Sequence, residues 1–297
     1  MLRKALTVGL ALAGFAGSLF GCAQTNKPDA VAAAAASRMT HERLNAVLWM
    51  QTSAEFHILS EVAYRDAAAR LRLVLDDVKK GKAVASAAIE QPGTHPKGMP
   101  LAVVIDIDET VLDNSPMSGR LVHDGRGYEK GDIWSLWVGK KQADFVPGAR
   151  EFVELARSHG VEVFFVTNRT DAEEADTIGD LAPLVITDEQ VLASGEIGAG
   201  ESAPWPSEKQ PRRSFIAKTH WIVSMVGDDL GDFIPKIRTM PAAERVTEVK
   251  KHAVRFGRDW FLIPNPLYGS WESVLYNRDD PDAKQLSDKT ALVKGFE

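Results

Sequence analysis

The sequence predicts an α/β protein built on a parallel β-sheet flanked by helices. Three observations lead to it. Apolar runs rich in β-branched and aromatic residues start at Leu101 (LAVVI), Val161 (VEVFFV) and Trp221 (WIVSMV). Nearly continuous apolar character, interrupted only by Glu162 and Ser224, suits strands that are buried on both faces. Helical patterns such as 147–159 lie between the runs, the alternation a parallel sheet requires. Each run also ends in polar groups: Asp106 and Asp108 after the first, Thr167, Asn168 and Arg169 after the second, Asp228, Asp229 and Asp232 after the third. Ligands of open α/β sheets bind at the carboxyl ends of the strands.

The elements are justified in chain order. Arg3 and Lys4 precede an apolar stretch, 5–20, that is short and rich in Gly and Ala. It has the layout of a secretory signal over 1–21 rather than of a membrane span. Cys22, the chain's single cysteine, follows in LFGC. This resembles a bacterial lipobox, whose cysteine is lipidated. Gln24 stands where inner-membrane retention would call for aspartate, so the resemblance implies a lipid-anchored outer-membrane protein, on its periplasmic or surface side. The competing reading is a soluble secreted protein cut nearby. Either way, one cysteine offers no internal disulfide.

Residues 22–40 read as a tether, Ala-rich without an amphipathic face. Thr40 suits an N-cap and Glu42 a first helical turn. Leu44, Val47 and Leu48, then Leu71, Val74, Leu75 and Val78, recur at helical spacing. They predict one or two helices over 41–80, in an N-terminal unit of 41–92 that packs on the α/β body. Gly81 and Pro92 to Pro100 mark a linker. The α/β body is expected over 93–277. An insert at 115–146, carrying Tyr128, Trp134 and Trp137, is expected as a small cap over the site. Residues 278–297 read as a loose polar tail.

A net charge of −6 argues against a nucleic-acid polymer as partner. No G-x-S-x-G elbow, P-loop, H-E-x-x-H or paired C-x-x-C motif occurs. The seven histidines are scattered, none at metal-ligand spacing.

The chemistry concentrates in DIDET, with Asp106 and Asp108 one residue apart. Two carboxylates at a strand end can hold a hard cation such as Mg²⁺ through oxygen. One can attack phosphorus while the other moves protons. A bare D-x-D is equally compatible with an exposed acidic turn. The hydroxyl of Thr167 and cation of Arg169 suit a phosphate oxygen, or a strand running into a helix cap. Lys209, beside Arg212 and Arg213, is of a type that usually forms a solvated face. The acidic loop GDDLGDF is compatible with a metal site and with a simple turn, its glycines allowing tight backbone paths. Taken jointly, the order acid pair, hydroxyl, lysine, acid cluster resembles the four motifs of the haloacid-dehalogenase-like (HAD) phosphohydrolases.

The resemblance narrows further. LWMQTSAEFHILSEVAYRDA (48–67), DIWSLWV (132–138), VPGAREF (146–152), GDDLGDF and LIPNPLYGSWE (262–272) are similar to the class C nonspecific acid phosphatases, bacterial lipoproteins that include 5′-nucleotidases. The match runs from about Asn45 to about Glu272, while the stretch 194–208 departs from the family pattern. The resemblance implies a HAD-like parallel sheet with a small, mostly helical cap and N-terminal helices. It implies a Mg²⁺-dependent phosphomonoesterase acting through an aspartyl-phosphate. Asp106 is then the nucleophile and Asp108 the general acid and base. Asp106, the Asp108 backbone carbonyl and Asp228 are the metal ligands, and Asp232 supports the metal's hydration. Thr167 and Lys209 hold phosphoryl oxygens, with Asn168 and Arg169 beside them. Tyr128, Trp134 and Tyr268 correspond to aromatics that flank the leaving group, or alternatively are core residues. The implied partners are small phosphomonoesters, nucleotides among them, the membrane through a lipid on Cys22, and a homo-oligomeric copy. Two rivals remain at this level: another HAD reaction such as phosphonate cleavage, dehalogenation or phosphomutase chemistry, and a non-enzymatic surface lipoprotein that binds haem or a host factor. Dehalogenation needs no leaving-group protonation, so Asp108 fits ester hydrolysis better.

Overall fold

The computed structural model describes residues 41–127, 132–196, 198 and 203–295. The signal, the tether, Cys22, Thr40 and Tyr128 lie outside the described residues. Helix α1 (Leu44–Thr52) is followed at once by α2 (Ala54–Lys79). The break is Ser53, whose extended backbone ends α1 and whose Oγ accepts from the Phe56 amide at 3.1 Å, capping α2. Helix α2 buries Phe56, Ser60, Tyr64, Ala67, Leu71 and Val74, a single face repeating every three or four residues.

The body continues through β1 (Leu101–Ile105), β2 (Leu112–Asp113), α3 (Ser115–Asp124), α4 (Asp132–Val138), β3 (Asp144–Phe145), α5 (Ala149–Ser158), β4 (Glu162–Thr170), α6 (Glu174–Asp180) and β5 (Val191–Ser194). Then come α7 (Gln210–Ile216), β6 (Trp221–Gly227), α8 (Ala242–Lys251), β7 (Trp260–Leu262), α9 (Ser270–Ser273) and α10 (Asp282–Ala291). Five strands pair in parallel in the order β5-β4-β1-β6-β7, with β1 in the centre. The three apolar runs are thus the three inner strands.

Strand alternation sorts the core into two layers. Leu101, Val103 and Ile105 join Phe56, Tyr64 and Leu71 of α2 and Phe152 and Val153 of α5 on one face. Ala102 and Val104 join Ile216, Met225, Phe233 and Trp260 on the other. Each fully buried large apolar side chain contributes about 1.5–3 kcal/mol, so these layers dominate the favourable energy. Among the described residues, no helix is long and apolar enough to cross a membrane.

The insert leaves and returns at one point. Strands β2 and β3 pair antiparallel, Leu112 with Phe145 and Asp113 with Asp144, closing its base. Gly148, just after that closure, has φ of 87° and touches α2: a Cβ there would fall 2.9 Å from the Tyr64 Cβ.

Two stretches differ from expectation. The linker is pinned to the sheet: the Ala87 amide and the Ser86 hydroxyl both donate to the Ile222 carbonyl, at 2.7 and 3.0 Å, and Gln91 Nε2 donates to the Ala217 and His220 carbonyls. Its prolines set the path, and side-chain hydrogen bonds, invisible to a composition argument, hold it. The tail is not loose either. It contains α10, whose Lys289 reaches Glu42 and Glu272. Charged pairs such as Lys284 with Asp288 support this helix, which lacks the apolar stripe that would announce it.

Candidate active site

The polar strand ends converge above β1. The Asp106 amide donates to the Val226 carbonyl at 3.0 Å, so its side chain begins where the sheet ladder stops. The chain then turns around one acceptor: the Ile107 carbonyl takes the amides of Thr110, Val111 and Leu112 at 3.3, 2.8 and 2.8 Å. Glu109, fully buried, adopts φ of 58°, an uncommon conformation for a residue with a side chain. Burial, then the charges of Asp108 and Asp113, push its carboxyl well above the usual range, against the hydrogen bonds from Asn114. From below, Tyr64 of α2 donates to the Thr110 carbonyl at 2.7 Å. Burial and the charges of Asp106 and Asp228 raise its phenol, which keeps the donor hydrogen in place.

Carboxylate oxygens of Asp106, Asp228 and Asp232 all lie within 4.8 Å of one another. Lys209 Nζ sits between two of them, 2.5 Å from Asp106 Oδ1 and 2.6 Å from Asp232 Oδ1. One ammonium cannot balance three carboxylates. Burial, followed by Asp106, Asp232 and Asp229, pushes Asp228 well above the ordinary carboxylate range. Burial also moves Asp232 up to about 6, with Lys209 opposing and Asp106 adding to the rise. Burial disfavours the Lys209 charge, but Asp106 and Asp232 more than offset it and raise that pKa. An all-oxygen, electron-rich pocket of this kind fits a hard divalent cation.

The acidic loop is shaped for this. Gly227 ends β6 because nothing larger fits: a Cβ there would fall 2.2 Å from Asp232 Oδ2. Asp228 Oδ2 accepts from Asn265 Nδ2 at 2.7 Å, and its Oδ1 accepts from Thr110 Oγ1 at 3.3 Å. Asp229 turns away. Its Oδ1 accepts from the Gly231 amide and the Ser270 hydroxyl, both at 2.7 Å, and its Oδ2 accepts from the Ser270 amide. Burial alone would raise the Asp229 carboxyl, but Arg238 and these hydrogen bonds hold it below the usual value.

The basic cluster is buried rather than solvated. Lys209, Arg212 and Arg213 are all inside. Arg212 donates to the carbonyls of Thr167, Leu192 and Pro206 and to Asn168 Oδ1, tying β4, β5 and the chain entering α7 together. Burial pushes its guanidinium down to about 10. Arg213 pairs with Glu90 at 2.5 Å and donates to the Asp232 carbonyl at 2.8 Å. A buried guanidinium is tolerable only with most of its donors paired; these acceptors take both terminal nitrogens of Arg212, leaving its Nε without a partner, and Glu90 takes Arg213. Lys209 is left to face the carboxylates.

Asp108 stands slightly apart from the cluster. Its Oδ1 accepts from Asn114 Nδ2 and from Arg169 Nε, each at 2.9 Å, and Arg169 Nη2 lies 2.8 Å away. Arg169 is fully buried and also paired with Asp180 at 3.2 Å. Thr167 is buried, its Oγ1 accepting from the Arg169 amide at 3.0 Å. That leaves the Thr167 hydroxyl hydrogen available to a ligand. Trp134 is half-buried beneath the Arg169 guanidinium, 5.7 Å from the ring centroid, and Tyr268 is half-buried at the rim of the first core layer. The structure thus gathers Asp106, Asp108, Thr167, Lys209, Asp228 and Asp232 at one strand-end site. It brings Asn168 and Arg169 there already engaged with protein groups. The supporting roles of Asn265, Tyr64 and Arg212 escaped the sequence reading. For Asn265 a signal existed, an asparagine between two prolines just after a short apolar strand.

The family model for acid phosphatases of HAD superfamily subfamily IIIB matches residues 23–271. Two solved structures of the class C acid phosphatase from Bacillus anthracis, one with tungstate bound, are similar to this chain with a TM-score of 0.73 and 29% sequence identity. The match covers 88% of this chain and 100% of theirs. This chain belongs to the subfamily IIIB acid phosphatases, and it is a phosphoric monoester hydrolase. That membership removes the reading as a non-enzymatic binding lipoprotein.

Proposed function

We propose that the protein is a Mg²⁺-dependent acid phosphatase that accepts nucleoside 5′-monophosphates and works through an aspartyl-phosphate on Asp106. The observation that carries this reading is the placement of Lys209 Nζ against Asp106 Oδ1 at 2.5 Å, with Asp228 and Asp232 alongside. A carboxylate attacking a phosphate monoester meets like-charge repulsion. Lys209 offsets it and stabilises charge on the phosphoryl oxygens as the transition state forms. The Thr167 hydroxyl donates to the same oxygens. Held by Asp106, the Asp108 backbone carbonyl and Asp228, with Asp232 supporting its hydration, a magnesium ion would supply further charge compensation.

Asp106 attacks phosphorus in line, and the bond from phosphorus to the ester oxygen breaks. Asp108 gives its proton to the departing oxygen. It then takes a proton from the water that attacks the aspartyl-phosphate, releasing phosphate and restoring Asp106. Asn168, braced by Arg212, shapes the phosphate side. Tyr128, Trp134 and Tyr268 receive the leaving group. Tungstate, bound by the Bacillus anthracis relative, is a tetrahedral oxyanion like phosphate, which is consistent with such a pocket.

Turnover of an aryl phosphate tests the reading. EDTA should abolish it and added Mg²⁺ restore it. Asp106→Asn should remove it altogether, and Asp108→Asn should cost on the order of 10²–10⁴ in rate, the usual weight of acid–base catalysis. Substantial turnover by Asp106→Asn would sink the aspartyl-phosphate. The same reading places the protein on the outer membrane through a lipid on Cys22, and it allows a homo-oligomer. Palmitate labelling lost in Cys22→Ser supports the anchor, and an unlabelled wild type overturns it.

A further inference from the structure

Helix α4 of the insert touches Asp108 by two routes. Trp134 and Trp137 stand three residues apart, the spacing that puts both on one helix face. The Trp134 ring lies under Arg169, which holds Asp108. Trp137 Nε1 donates to Asn114 Oδ1 at 2.7 Å, and Asn114 Nδ2 donates to Asp108 Oδ1 at 2.9 Å.

The second route depends on which way the Asn114 amide points. Asn114 is fully buried, and its backbone amide and Nδ2 both donate to the Glu109 carboxylate, at 2.9 and 3.3 Å. An indole nitrogen is a donor only, so it demands the oxygen end of the amide. With Oδ1 turned to Trp137, Nδ2 must face Asp108 and Glu109. A flipped amide would set oxygen against two carboxylates and leave the indole without an acceptor. Three nitrogens therefore converge on Asp108 Oδ1, whereas among the described residues Oδ2 receives no hydrogen bond.

We propose that Trp137 is a positioning residue for leaving-group departure: through Asn114 it fixes the Asp108 carboxyl so that Oδ2 faces the departing oxygen. This rests on the reading of Asp108 as the group that protonates that oxygen. As the bond from Asp106 to phosphorus forms and the ester bond breaks, the proton on Oδ2 passes to the leaving oxygen. The Asp108 carboxylate that results stays in the grip of Arg169 and Asn114. The placement of α4 thereby sets how well the proton is delivered, so a leaving group that lies against the insert influences its own departure.

The test is leaving-group dependence. An alkoxide needs a proton to depart and a nitrophenolate hardly does, so a misplaced acid penalises alkyl esters selectively. kcat/KM is measured for 4-nitrophenyl phosphate and glycerol phosphate in the wild type, Trp137→Phe and Asp108→Asn, with thermal melts alongside. It reports steps only up to alcohol departure. Trp137→Phe keeps the ring and loses the N–H. It should lose on the order of tenfold more on the glycerol ester than on the aryl ester, a fraction of the full acid effect. If that variant does not fold, Asn114→Ala carries the same comparison with the same expected selectivity. Equal losses on the two esters, or none, would overturn the proposal. The parent reading is judged separately by Asp108→Asn. If Asp108→Asn discriminates strongly and Trp137→Phe does not, only the positioning role fails. If Asp108→Asn treats both esters alike, the acid assignment itself fails.

Discussion

The phenol of Tyr64 donates to the carbonyl oxygen of Thr110 at 2.7 Å, joining the N-terminal helix α2 to the turn that follows Asp106 and Asp108. The site therefore extends beyond the α/β body. Tyr64→Phe leaves a buried carbonyl without its partner, which costs about 1–3 kcal/mol. The expected outcome is a urea midpoint shifted accordingly and a lower kcat, because the turn loses a fixed point. Gly148→Ala, which drives a Cβ toward Tyr64 at a positive φ, should destabilise by at least as much. An unchanged midpoint in both variants would show the contact to be idle.

Metal binding should be visible in stability as well as in turnover. The buried carboxylates of Asp106, Asp228 and Asp232 repel one another when no cation is held. A saturating divalent cation at about a hundred times its Kd adds roughly 2.7 kcal/mol, a rise of several degrees in Tm for a chain of this size. Asp228→Asn should abolish the rise induced by Mg²⁺ and leave the EDTA-treated protein at least as stable as the wild type. A variant that still gains stability from Mg²⁺ would remove Asp228 from the ligand set.

Substrate choice tests the aromatics. Base-on-aromatic stacking is worth roughly 1–3 kcal/mol and tolerates any base. Tyr268→Ala and Trp134→Ala should each lose about tenfold or more in kcat/KM for a nucleoside monophosphate relative to glycerol phosphate. Trp134 also supports Arg169, so Tyr268→Ala is the cleaner comparison. Equal losses on both substrates, with a lowered Tm, would assign the rings to the core.

Acid sensitivity should trace in part to His220. Its ring packs edge-on against Phe164, with centroids 4.9 Å apart. Burial lowers its pKa from the ordinary 6.5, against the pull of Glu162. The unfolded chain then binds the proton more readily than the folded one. Stability contributed by the neutral ring is present above the unfolded value and is lost as pH falls through it toward the folded value. His220→Gln should flatten the Tm-against-pH curve below the ordinary imidazole pKa of 6.5. Parallel curves for variant and wild type would exclude His220 as a contributor.

The inner strands were legible because LAVVI, VEVFFV and WIVSMV are dominated by apolar residues, interrupted only by Glu162 at the start of β4 and by the buried Ser224. The acids Asp106, Asp228 and Asp232 were visible as polar residues after apolar strands, with Lys209 between them in chain order, and the fold brings these four side chains together. Arg212 and Arg213 were misread as solvated because their partners are backbone carbonyls and side chains distant in sequence, Asn168 and Glu90, which no local pattern announces. Helix α10 was missed because ion pairs, rather than an apolar stripe, hold it. Tyr64 stood within a segment matched by family likeness, but its hydrogen bond spans to Thr110 and no local pattern predicts it.

The central position of β1 governs how the molecule can assemble. Leu101 pairs with Trp221 on one side, Ala102 pairs with Glu162 on the other, and α2 packs against β6 and β7 near the far end of the chain. The pairing of β1 with β4 and β6, and the packing of α2 against β6 and β7, close long loops, so loop entropy must be spent before these contacts reward it. Folding should wait for the whole polypeptide and proceed slowly, with apolar strands exposed meanwhile. The carboxylates of Asp106, Asp228 and Asp232, drawn from strand ends far apart in sequence, come together only when those strands pair.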